Sequence, residues 1–140
     1  MLGQKWYEHS AFSALRYKNG VERVRRETDA FLKSLGYEHD EKECFYHAIP
    51  SNKKRIALFA HEGFGMAFLS TVLDIPYSLF CTHFGLTYSG MSVVRFSGER
   101  EVTTCMLQLS NNSHLYREGL STRYNGEIFF RILYLLTNKI

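Results

Sequence analysis

Three features of the sequence predict an α/β fold, a three-layer sandwich built on a mixed central sheet. Residues 55–60, RIALFA, are continuously apolar from Ile56 onward, as in an interior strand covered on both faces. The run leads through His61-Glu62-Gly63-Phe64-Gly65 into an apolar stretch at 66–73, which makes a strand–turn–helix unit. Residues 21–35 carry Val21, Val24, Thr28, Phe31, Leu32 and Leu35 at helical spacing, with Arg, Glu, Asp and Lys between them. With 140 residues, 45% hydrophobic and 22% charged, the chain is expected to form a single domain over 1–140. A chain of this length buries about two-thirds of its unfolded surface.

The remaining elements follow in order. Residues 1–20 hold Trp6, Tyr7, Phe12, Leu15 and Tyr17 without a clean period, and read as an arm that packs on the domain or swaps to a second copy. Asn19-Gly20 is placed before the first helix and Gly36 at its C-terminal cap. Residues 37–42 read as a polar turn and 44–49 as a short strand, ended by Pro50 and the turn Ser51-Asn52-Lys53-Lys54. Asp74-Ile75-Pro76 stops the helix at 66–73, and a second short helix is expected over 77–84. Strands are expected at 88–96 and 101–109, joined by the hairpin turn Ser97-Gly98-Glu99-Arg100. Asn111-Asn112-Ser113 reads as a loop, Asn125-Gly126 as a turn and 127–136 as a terminal helix. There is no internal repeat, low-complexity tract or interdomain linker.

Composition excludes several classes. The net charge of +3 is mild, and the clusters Arg23, Arg25, Arg26 and Lys53, Lys54, Arg55 do not interleave with aromatics along one face, so no nucleic-acid partner is expected. The three cysteines, Cys44, Cys81 and Cys105, are odd in number and widely spaced, which argues against a disulfide framework or a zinc site. The start MLGQKWYEH has no apolar export region, and no stretch reaches the ~20 apolar residues of a membrane span. A cytoplasmic protein that does not engage a membrane is expected.

His61 is the principal candidate for chemistry. It falls where the apolar run ends and a helix begins, and unpaired backbone N–H groups at a helix start favour an anion. A protonated imidazole adds to that preference. The competing reading is a structural histidine at a strand end. His83 is expected to be a buried structural residue and His114 a loop-stabilising one, while His9, His39 and His47 lack ligand spacing. No HxH, HExxH, Walker loop, GxSxG or dinucleotide GxGxxG occurs, so neither a metal nor another cofactor is expected.

The run RIALFAHEGFGMAFLSTVLDIP resembles the second-histidine segment of the histidine phosphatase superfamily, the phosphoglycerate mutase-like proteins. In that family a hydrophobic strand delivers a histidine followed by glycine, then a helix ending in L-x-x-P. The stretch LQLSNNSHLYREGLSTRYNG, residues 107–126, is similar to C-terminal segments of bacterial members, and the resemblance runs from about Val21 to about Gly126. It implies a phosphoglycerate mutase-like fold and phosphoryl-transfer chemistry on a phosphate or phosphomonoester. An Arg-His-Gly motif would supply the nucleophile, and two arginines and a second histidine would hold the phosphate oxygens. His61 maps onto that second histidine, and the backbone N–H of Glu62 would face the phosphate. No Arg-His-Gly occurs in the chain, and Glu62 stands where relatives often have glycine. Glu8 fits poorly as the proton donor to the leaving group. The resemblance therefore implies an N-terminally truncated member, inactive as given, in which an open sheet edge favours a homodimer. The alternative is a non-catalytic anion-binding or protein-interaction domain on the same scaffold.

Overall fold

The computed structural model describes residues 5–10, 17–49 and 54–119. Its sheet is set by alternation. Strand β3 (Met91–Ser97) and strand β4 (Glu101–Asn111) form an antiparallel hairpin that pairs Val94 with Met106 and Phe96 with Thr104. Those four side chains share one face, and Arg95, Ser97, Thr103 and Cys105 share the other. Strand β2 (Phe45–Ala48) adds to β4 through Tyr46 opposite Val102, and strand β1 (Tyr37–Asp40) adds to β2 with His39 opposite Tyr46. The four strands run in the order β1-β2-β4-β3, with every pairing antiparallel.

Helices α1 (Tyr17–Ser34), α2 (Glu62–Val72) and α3 (Tyr77–His83) pack on the Tyr46–Val102 face. Leu32, Tyr46, Val72 and Val102 form one buried cluster, flanked by Phe31, Leu35, Phe68 and Phe96. Met66, Leu69 and Phe80 form a second, resting on Val94 and Met106. Full burial of each such aliphatic or aromatic side chain contributes about 1.5–3 kcal/mol. A short helix, α4 (Ser113–Arg117), follows β4. A single 3₁₀ turn at Trp6–Glu8 docks on the same side. Trp6 is buried, its ring 5.9 Å from that of Tyr17 and stacked at 6.1 Å on Tyr77, and the Tyr7 hydroxyl donates to Glu22. The described part of the N-terminal arm therefore packs on its own chain.

The end of α2 is tied down by a complete C-terminal cap. Asp74 adopts the left-handed conformation (φ 54°), its N–H donates to the Thr71 carbonyl, and the Ile75 N–H reaches back to Ser70. This is the Schellman arrangement, and Pro76 follows it. The Val72 carbonyl, left without an intrahelical partner, accepts from the hydroxyls of Thr104 at 2.9 Å and Tyr46 at 3.3 Å, which fastens the helix end to the sheet.

Several expectations are corrected. Residues 55–60 form no strand: they are irregular and exposed, with Ile56 48%, Leu58 49% and Phe59 93% accessible. An apolar run becomes an interior strand only if two neighbours offer it a ladder, and here β2 and β4 already fill the interior positions. The sheet is antiparallel among the described residues where a mixed one was expected. Helices α1 to α3 cover a single face, with Glu101, Thr103, Cys105 and Leu107 exposed on the other, so these residues form two layers where three were expected. Of the polar turn expected at 37–42, residues 37–40 are strand β1 and the turn begins only at Glu41, because Tyr37 and His39 face inward onto Phe96 and Tyr46 while Glu38 and Asp40 alternate outward. Helix α1 runs through Asn19-Gly20 instead of starting after it, and α2 starts at Glu62, four residues ahead of the expected 66. Gly36 (φ 92°) ends α1 as expected, and α3 and the β3–β4 hairpin lie where the sequence places them. The helix expected at 127–136 lies outside the described residues. The structure is thus a mixed helix-and-sheet fold.

The hairpin depends on Gly98, whose φ of 137° excludes side chains and where a methyl group would collide with the Glu101 carbonyl. Gly98→Ala is expected to cost at least about 2 kcal/mol, read as a lower urea midpoint with an unchanged m-value.

Candidate functional site

His61 sits at the N-cap of α2. Its backbone is extended (φ −73°, ψ 156°), its carbonyl accepts the first helical bond from Gly65, and its side chain takes no part in capping. The ring is exposed, as is Glu62 in the first helical turn. Among the described residues, neither side chain makes a hydrogen bond or ion pair. An 11-residue helix concentrates partial positive charge on the N–H groups of its first turn, which His61 immediately precedes. That arrangement can receive an anion. Gly63 leaves the approach open, since a methyl group placed there would meet nothing within 4 Å. The Glu62 carboxylate works in the other direction: it complements the helix dipole but repels an anion at the same end.

The other sequence candidates are scattered. His83 is exposed at the C-terminal end of α3, which corrects the expectation of a buried residue. That helix has seven residues and turns its core face inward through Phe80, leaving its last turn in solvent. His114 is exposed on α4, and His47 is exposed on β2 with its Nε2 3.8 Å from Asp40. Among the described residues, no group of histidines, cysteines and carboxylates is arranged to hold a metal ion.

The most organised polar cluster is one the sequence reading passed over. His39 has a side chain only 3% exposed. Its Nδ1 lies 2.9 Å from Asp29 of α1, and its Nε2 lies 3.1 Å from both carboxylate oxygens of Asp74 in the α2–α3 turn. Carboxylates only accept, so both ring nitrogens must carry hydrogen and the ring is an imidazolium. Burial pulls its pKa down, but hydrogen bonds to Asp29 and Asp74 and their charges outweigh that and raise it to about 9. The ring also stacks on Tyr46 at 4.5 Å, and burial pushes the Tyr46 hydroxyl well above its ordinary range. A histidine engaged on both sides has no lone pair to offer, so this cluster is structural. At the nearby exposed Cys44, desolvation first, then the charges of Asp74 and Glu43, raise the thiol pKa, which disfavours the thiolate. The signal for the cluster was the alternation Tyr37-Glu38-His39-Asp40, in which a histidine occupies the inward phase.

Comparison with known proteins yields no matching family model, no significantly similar curated protein and no significantly similar solved structure. Among the described residues, no helix is long and apolar enough to cross a membrane.

The histidine bridge sets a pH dependence. Folding raises the His39 pKa from about 6.5 to about 9, so its contribution is complete below about pH 6.5 and is lost as pH rises through about 9. The loss amounts to about 3 kcal/mol, or on the order of 10 °C in Tm, between pH 6 and pH 9.5. Thermal melts across that range should show the decline in the native chain and a much flatter profile in His39→Gln. Equal slopes in the two proteins would remove the bridge as the cause.

Proposed function

We propose that the His61 turn is the anion-binding half of a histidine phosphatase-type site, and that the chain takes a phosphate or phosphomonoester there. On this reading the helix-and-sheet structure is part of a phosphoglycerate mutase-like fold. The observation that carries the reading is the exposed, uncommitted imidazole at the N-cap of α2, beside the first-turn N–H groups. The residue pattern RIALFAHEGFG leading into an apolar helix adds the sequence resemblance, although 55–60 do not form the strand that precedes the histidine in that family. Two groups of the right chemistry, the imidazole of the N-cap residue and the backbone donors of the first turn, thus belong to the same helix end.

The chemistry of such a site is divided between holding and attacking. His61 and the Glu62 N–H would hold phosphate oxygens and favour the charge of a transferring phosphoryl group. Attack needs a second, nucleophilic histidine, and the 140 residues contain no Arg-His-Gly. The chain by itself is therefore proposed to bind without turnover. This brings it close to the alternative reading, a non-catalytic anion-binding or protein-interaction domain on the same scaffold.

Two measurements on the full chain test this. Titration with inorganic phosphate, followed through the backbone amide signals of Glu62 and Gly63, should show saturable binding that weakens at least about tenfold in His61→Ala, equivalent to about 1.4 kcal/mol. Glu62→Gln should bind phosphate more tightly than the native chain. Hydrolysis of p-nitrophenyl phosphate should stay near background in all three proteins. Undiminished binding in His61→Ala would end the proposal, and robust hydrolysis lost in that variant would make His61 itself the nucleophile.

A further inference from the structure

The run at 55–60 is an exposed strand-forming sequence without a ladder. Ile56, Leu58 and Phe59 are 48%, 49% and 93% exposed, and no proline or glycine interrupts them. Apolar segments of this kind, low in charge and high in strand propensity, pair with whatever open sheet edge they meet. The sheet offers two such edges, β1 and β3.

Charge chooses between them. The run is led by Lys54 and Arg55. Strand β3 carries a single charged residue, Arg95, of the same sign. Strand β1 carries Glu38 and Asp40, and Glu41 and Glu43 follow in its turn, with Lys42 as the turn's own cation. Two cations already touch this edge, Lys33 on Glu38 at 2.6 Å and Arg25 on Glu41 at 3.0 Å, and the His47 ring lies 3.8 Å from Asp40. Pairs with at least one partner in solvent exchange readily, and four carboxylates leave room for another base.

Position favours reciprocity. Lys54 lies six residues after Ala48, which pairs with Tyr37 of β1, so the run starts within about 20 Å of its own acidic edge. Donor and acceptor thus lie a short stretch of chain apart, an arrangement that lets two copies exchange strands about a two-fold axis instead of forming an open chain.

We propose that residues 55–60 of one copy add as a strand to the β1 edge of a second copy, each donating and receiving, to close a two-fold dimer. Ile56 and Leu58 then leave solvent, and Arg55 meets the carboxylates around Glu38 of the partner subunit. The inference stands apart from phosphate binding at His61 and is tested without it.

Light scattering on the full 140-residue chain at micromolar concentration should give twice the 16.3 kDa chain mass. Amides of residues 55–60 should exchange slowly with solvent in the dimer. Leu58→Pro blocks a ladder but alters a segment that is unpaired within one chain, so it should retain the circular dichroism of the native protein and dissociate at least tenfold more readily. Arg55→Glu should weaken the dimer in the same direction and decides the matter if the proline variant fails to fold. A monomer would overturn the proposal: with slow exchange at 55–60 it would show that another part of the same chain covers the run. A dimer indifferent to both substitutions, or an open-ended polymer, would overturn it as well.

Discussion

The architecture turns on one buried cation. His39 reaches from β1 to Asp29 on α1 and to Asp74 in the turn between α2 and α3, so a single ring connects the sheet edge to all three principal helices. Removing one member of such a buried group leaves the others unpaired in a medium that solvates them poorly, typically at a cost of about 3–5 kcal/mol. The bridge also accounts for a local irregularity. Asp74 occupies a left-handed cap position that glycine fills more easily, at a cost of about 1 kcal/mol for a residue with a side chain. Glycine would relieve that strain but sever the link to His39, so the carboxylate is retained where the backbone alone would prefer its absence.

Much of the fold was legible in the chain. Spacing on residues 21–35 identifies α1, Gly36 its end, Asp74-Ile75-Pro76 the end of α2, and Ser97-Gly98-Glu99-Arg100 the hairpin. In each case the local rule and the tertiary packing agree. Two elements were misread for opposite reasons. Residues 37–40 looked polar because His39 counts as polar, although its charge is neutralised inside. Residues 55–60 looked buried because apolar runs normally are, although no strand among the described residues receives them. Pattern reports what a segment prefers, whereas pairing depends on what the rest of the chain supplies.

The candidate site divides in the same way. A histidine at a helix start can be read from sequence, and His61 occupies that position. The identity of its neighbours cannot, because an N-cap imidazole on the surface imposes no pattern elsewhere in the chain. The two histidine environments are chemical opposites. His39 has both nitrogens committed and contributes stability, while His61 has neither committed and is open to an incoming group.

The packing of the 3₁₀ turn at Trp6–Glu8 has a practical consequence. The chain has one tryptophan, and that residue is buried between Tyr17 of the first helix and Tyr77 of the third. Fluorescence emission from the protein therefore reports on a single place. Because Trp6 touches neither the His39 bridge nor the His61 turn through any described ring contact, a shift in its emission marks release of the amino-terminal turn, and it separates that event optically from loss of the sheet followed by circular dichroism.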